Sequence, residues 1–120
     1  MARSLVIKTT AGEDAPERCA QAFTVAATAA ASGIPVSLWL TGEASWLALP
    51  GRAEAFVLAQ SAPLAELLGA VIDAGQVTLC TQCAARRNIE ADQLLPGIRI
   101  AGAATFVTEA VAEGAQALVY

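Results

Sequence analysis

The strongest constraint on this chain is an alternation of two hydrophobic periods. Short apolar runs of strand length recur along its 120 residues, each separated from the next by a stretch with helical spacing. Residues 5–9 read as a first strand, ended by the turn-like Thr10-Ala11-Gly12. Pro35-Val36-Ser37-Leu38-Trp39-Leu40 reads as a second and Gln76-Val77-Thr78-Leu79 as a third. Residues 98–101 and 117–120 complete the set. Strands joined by helices close only through right-handed crossovers, which build a parallel sheet covered on both faces. The fold class is therefore α/β, a flavodoxin-like sheet of about five mainly parallel strands with helices on both faces. The length suits one domain spanning residues 1–120.

The helices carry their own punctuation. Asp14-Ala15-Pro16-Glu17 has the form of a capping box, with Pro16 tolerated in the first turn. The helix it opens should run to about Ser32 and stop at Gly33, in the left-handed position of a C-cap. It is apolar nearly all round, so burial on more than one side is expected. Ser61 is placed to cap the next helix, in which Leu64, Leu67, Leu68, Val71 and Ile72 recur at helical spacing before Gly75. A short helix follows Cys80 to about Asn88, Leu94-Leu95-Pro96-Gly97 is a turn, and a last helix covers residues 105–113. Residues 44–60 read as loop with some helix.

Composition removes several function classes. The formal charge is −4 and Lys8 is the only lysine, so neither nucleic acid nor an anionic membrane surface is an expected partner. The uncharged run at residues 19–42 raises a transmembrane question. Gly33, Pro35 and several polar residues interrupt it, and it reads as a buried helix and strand. The apolar run near Met1-Ala2-Arg3 is too short for a signal peptide, so a cytoplasmic location is expected. With no histidine, Cys-His and Ser-His catalysis and Cys₂His₂ zinc sites are excluded. No cofactor and no metal site are expected.

What remains is sulfur. Cys80-Thr81-Gln82-Cys83 sits where the third strand runs into a helix. A cysteine there lies near backbone N–H groups without intrahelical partners, in the positive field of a helix N-terminus, and both favour thiolate. Cys83 reads either as a resolving thiol or as a packed residue, and Cys19 as core. In parallel sheets, ligands sit beyond the carboxyl ends of the strands. Three loops meet there, at residues 10–14, 41–46 and 80–83. They make Thr10, Glu13, Asp14, Glu43 and Trp46 candidate substrate contacts, together with Arg86 in the following helix. Capping competes for Asp14, and the helix dipole or pairing with Glu90 and Asp92 competes for Arg86 and Arg87.

These residues resemble the DsrE/DsrF-like family and its YchN-like fold. The resemblance is carried by Glu13-Asp14-Ala15-Pro16-Glu17-Arg18, the Ala-rich helix, and Gly33-Ile34-Pro35-Val36-Ser37-Leu38-Trp39-Leu40. It continues through the strand ending in Cys80, then Arg86-Arg87-Asn88-Ile89, Gly97-Ile98 and the terminal strand ending in Tyr120. It implies homo- or hetero-oligomers, often trimers or hexamers, and in some members relay of sulfur as a cysteine persulfide on the position of Cys80. Asn88 stands where the family usually has Gly, and Glu43-Ala44-Ser45 where a Gly-Val pair is common.

Two readings follow. In the first, Cys80 is a sulfur carrier or thiol-redox centre working with a donor or acceptor protein. In the second, the chain is a non-catalytic oligomeric binding module with a structural CxxC, its spare apolar segment at Trp46-Leu47-Ala48-Leu49 buried between subunits.

Overall fold

Register decides which layer each strand residue meets. In the computed structural model, which describes residues 3–120, the strands are β1 (Ser4–Thr9), β2 (Val36–Leu40), β3 (Gln76–Cys80), β4 (Ile98–Ala101) and β5 (Ala115–Val119). They form one sheet in the order β4-β3-β2-β1-β5, with every pair parallel. Met1 and Ala2, where the signal-peptide reading begins, lie outside the described residues. Alternation along each strand sorts the side chains into two unlike sets. One face carries Ile7, Leu38, Leu40, Val77 and Leu79, all fully buried. The other carries Val6, Lys8, Ser37, Trp39, Thr78 and Arg99.

The aliphatic face needs the larger cover and receives it. The helices are α1 (Pro16–Ala31), α2 (Arg52–Ala55), α3 (Leu64–Ala74), α4 (Thr81–Arg86) and α5 (Ala103–Ala110). Phe23, Ala22 and Ala26 of α1, Leu68 and Val71 of α3 and Ala84 of α4 join the strand aliphatics in one core. Each large side chain buried there contributes about 1.5–3 kcal/mol. The connections from β1 to β4 step in one direction across the sheet, so right-handedness puts α1, α3 and α4 on one face. The return from β4 to β5 runs the other way and puts α5 alone on the opposite face. Its Phe106 ring meets Trp39 edge-on, with centroids 5.4 Å apart.

Several local signals work as expected. Gly33 has φ +77° and ends α1 in a Schellman turn, with Gly33 N–H donating to Ala29's neighbour Ala30 and Ile34 N–H to Ala29. That turn divides the uncharged run at residues 19–42 into α1 and β2, and no helix among the described residues is long and apolar enough to cross a membrane. Other signals are corrected. The N-cap of α1 is Ala15, with no side-chain cap, because the Asp14 carboxylate accepts from Gly12 N–H at 2.8 Å instead. Ser61 does not cap α3. Its hydroxyl donates to Ala62 O, and the helix starts after Pro63, whose fixed φ suits a helix entry. The last helix starts two residues earlier and ends sooner than expected, because β5 begins at Ala115, where it pairs with β1 from Ser4 to Lys8. The ambiguous segment forms a 3₁₀ turn, Gly42–Ala48, and the short α2. Leu47 and Ala48 are buried and Trp46 and Leu49 pack on the core, so this segment is not spare surface.

Candidate functional site

All five strands run the same way, so their carboxyl ends share one edge, where the loops after β1 and β2 are locked together backbone to backbone. Thr41 N–H and Oγ1 both donate to Thr9 O, at 3.0 and 2.9 Å. A Cβ on Gly12 would lie 2.5 Å from Glu43 O, and one on Gly42, at φ +52°, would lie 2.5 Å from Thr10 O. Only glycine permits both approaches. Gly42 N–H in turn donates to Cys83 Sγ at 3.4 Å, which ties these loops to the start of α4.

Cys80 occupies the point where the sheet changes its covering layer. The connection leaving β3 goes to the α1 face and that leaving the adjacent β4 goes to the α5 face, so the topological switch point, where parallel α/β sheets bind ligands, lies between their carboxyl ends. Cys80 pairs with Ala101 at that point. It is the N-cap residue of α4, with extended backbone, and is partly exposed, whereas Cys83 one turn on is buried. Partial burial pushes the Cys80 thiol up. This is outweighed by the amides of Cys83 and Gln82, the Cys83 thiol and the Lys8 charge, which together hold it below the usual thiol value. No N–H reaches the sulfur with regular capping geometry, so these amides act through their dipoles more than as short hydrogen bonds. Gly42 N–H thus donates to the sulfur of the same Cys83 that favours the Cys80 thiolate. Chemically the site presents one partly exposed cysteine, its thiol held below the usual value, next to a second, buried one. Cys19 differs throughout. It is fully buried in α1, and burial, with the Asp14 charge, pushes it up to about 12.

Beside Cys83 lies a cluster around Trp46. Glu43 accepts from Arg87 at 2.9 Å and from Trp46 Nε1 at 3.3 Å, and the guanidinium of Arg52 lies 4.8 Å from the centre of the Trp46 ring. Glu13, Glu43, Trp46, Leu47 and Arg52 line a cavity of about 130 Å³. Hollows of about 420 and 600 Å³ run along α1 near Leu58; no cysteine lines any of the three, and the smaller cavity is linked to Cys83 through Glu43, whose neighbour Gly42 donates to that sulfur.

The fold brings Cys80, Cys83 and Glu43 to one edge, with Trp46 and Glu13 around the adjoining cavity. Thr10 is there too, but its hydroxyl is engaged by Tyr120 O at 2.7 Å, and Asp14 serves the turn described above. Arg86 is exposed and makes no ion pair among the described residues. Its neighbour Arg87 holds Glu43 and donates to Cys83 O at 3.2 Å, so neither arginine pairs with Glu90 or Asp92. Sequence reasoning missed Lys8 and Glu109, which act from the α5 face. The available signal was a charged residue inside an otherwise apolar strand.

A family model described as the DsrE/DsrF-like family matches residues 3–120. The chain belongs to the DsrE/DsrF-like family. Membership fits Cys80 at the end of β3, and Asn88, which replaces the usual family glycine, holds the expected left-handed conformation at φ +54°. Among solved structures, the YchN protein of E. coli matches with a TM-score of 0.79 at 16% identity over 100% of both chains. MTH1491, a protein of unknown function from Methanobacterium thermoautotrophicum, matches with a TM-score of 0.67 at 9% identity, again over 100% of both chains. These two likenesses show the YchN-like fold. No curated protein matches the sequence.

Proposed function

We propose that this DsrE/DsrF-like protein carries sulfur on Cys80 as a persulfide. The observation that supports this best is Cys80 itself: a partly exposed residue at the carboxyl end of β3 and the start of α4, with its thiol held below the usual value. Thiolate, not thiol, is the attacking form. The Cys80 thiolate attacks the outer sulfur of a donor persulfide, R–S–SH. A new Cys80–S bond forms, the donor's S–S bond breaks, and the donor leaves as thiolate. In the second step an acceptor thiolate attacks the outer sulfur of the Cys80 persulfide, and Cys80 departs as thiolate again. No external oxidant or reductant enters. In this reading Glu13, Glu43 and Trp46 meet the donor or acceptor protein, and three free cysteines suit a reducing compartment such as the cytoplasm.

The test is intact mass after exposure to a small-molecule persulfide donor. Wild type and Cys83→Ser should each gain one sulfur atom on Cys80, and Cys80→Ser should gain none there. A wild type that never takes up sulfur rejects the carrier role. A thiol-redox variant, in which Cys83 attacks the Cys80 persulfide and expels hydrosulfide as a Cys80–Cys83 disulfide forms, predicts a mass loss on standing that Cys83→Ser abolishes. The assembly reading draws support from a different surface than first expected. Val107 of α5, Val111 just after it and Val119 of β5 are 55%, 76% and 65% exposed. Sedimentation at micromolar concentration tests it, and a strict monomer rejects a homo-oligomer, trimeric or hexameric.

A further inference from the structure

Lys8 is the only lysine of the chain and lies inside β1, where a charge is unfavourable unless it is used. In register, Lys8 pairs with Trp39, Trp39 with Thr78 and Thr78 with Arg99, so these four form one row across the α5 face. Cys80 stands one pleat further along that face. Two cations in the row serve different ends. Arg99 is consumed: it pairs with Glu109 and donates to Thr78 Oγ1 at 2.7 Å. Lys8 has no carboxylate partner among the described residues. Its ammonium is held 4.0 Å from the centre of the Phe106 ring, and that ring stands edge-on to the fully buried Trp39. An ammonium fixed on an aromatic face keeps its full charge and loses part of its hydration.

We infer that Lys8 is the positioning counter-ion for the anionic sulfur of Cys80, both as thiolate and as persulfide, with Phe106 holding its ammonium in place. The inference rests on the sulfur-carrier reading for the persulfide only; the thiolate part stands alone. The charged and titratable groups around Cys80 are few. β1 supplies Lys8, α4 supplies Cys83, β2 presents the uncharged Trp39, and the Arg99 of β4 is neutralised by the Glu109 of α5. Of these groups, Lys8 is thus the cation on that face with no carboxylate partner among the described residues, and its field favours the Cys80 anion.

The experiment is the pH profile of Cys80 alkylation by iodoacetamide, read peptide by peptide, in wild type, Lys8→Met and Lys8→Arg. Methionine keeps the apolar stem and removes the charge. Its profile should move up by about half to one pH unit, leaving roughly three- to tenfold less thiolate at neutral pH, while Lys8→Arg stays near wild type. A merely structural lysine moves stability but not this profile. A Lys8→Met profile that superimposes on wild type overturns the inference. Because there is one lysine, a second route avoids refolding altogether. Acetylating the folded wild type, followed by hydroxylamine to restore the thiols, should raise the profile; reductive dimethylation, which keeps the charge, should not. Equal profiles after the two modifications also overturn it. These titrations read Cys80 whether or not it accepts sulfur, so failure of the carrier role and failure of the counter-ion are distinguishable. If sulfur is loaded, Lys8→Met should slow loading at neutral pH by the same factor as alkylation.

Discussion

Removing the Glu109 carboxylate should loosen the whole α5 layer. No residue of α5 is buried, so this helix is held less by apolar area than by one polar junction. Glu109 accepts from Ser37 Oγ at 2.6 Å and from Trp39 Nε1 at 3.0 Å, and pairs with Arg99. In Glu109→Ala the Trp39 N–H is left in a side chain only 1% exposed, without an acceptor. An orphaned buried donor costs about 1–3 kcal/mol, and the charge-assisted Ser37 bond adds about 1.5 kcal/mol. Arg99 is 38% exposed and its ion pair adds little after solvent screening. The expected loss is about 3 kcal/mol, or roughly 10 °C in Tm for a chain of this size. The acid limb provides a second signature. Burial raises the Glu109 carboxyl, but Ser37, Trp39 and Arg99 outweigh it and hold the group below the ordinary carboxylate value. Its contribution is therefore complete above that ordinary value and is lost as pH falls through the lower, folded value. Wild type should lose this increment on acidification, and the gap to Glu109→Ala should close. Urea unfolding followed by tryptophan fluorescence, from neutral pH into the acid range, reads both. A variant within about 0.5 kcal/mol of wild type at neutral pH, or a gap that does not change with pH, refutes the junction.

Three further outcomes follow from the same geometry. Gly42→Ala places a Cβ 2.5 Å from Thr10 O at a left-handed φ and should cost about 2–4 kcal/mol in urea unfolding, since neither backbone can yield cheaply. Cys83→Ala removes a thiol that favours the Cys80 thiolate, and the midpoint of Cys80 alkylation should rise, whereas sulfur loading should survive; the first is a titration and the second an intact mass. Cys19, pushed up to about 12 and fully buried, should stay unmodified by thiol reagents in the native state and react only in denaturant.

The strand and helix order was legible because its signals are local. Period-two runs, Gly33 after an apolar helix and a cysteine at the end of an apolar strand each state their role within a few residues, and the sheet follows from handed crossovers. The places where local reading failed were contested by a neighbour. Asp14 had a capping position available, but the Gly12 amide two residues back took its carboxylate. Arg86 and Arg87 are adjacent, and only the packing of the Gly42–Ala48 turn against α4 decides that Arg87 meets Glu43. Trp46-Leu47-Ala48-Leu49 looked like spare apolar surface because nothing local shows that it folds back onto the core. Lys8, Trp39, Arg99 and Glu109 are brought together by register and a crossover, at separations that no sequence window spans. The strand-end place of Cys80 beside helix N-terminal amides was thus readable, and the Lys8 charge on the same sheet face was not.

Selective activation of one sulfur, Cys80, among the three cysteines underlies the proposed function. Its most direct test is residue-resolved alkylation of the native wild-type protein across pH, with all three cysteines competing in one sample. The geometry predicts that Cys80 reacts first, with a midpoint below that of an ordinary thiol, that Cys83 follows slowly, and that Cys19 is silent. Preferential reaction at Cys83, or a Cys80 midpoint at or above that of an ordinary thiol, contradicts it.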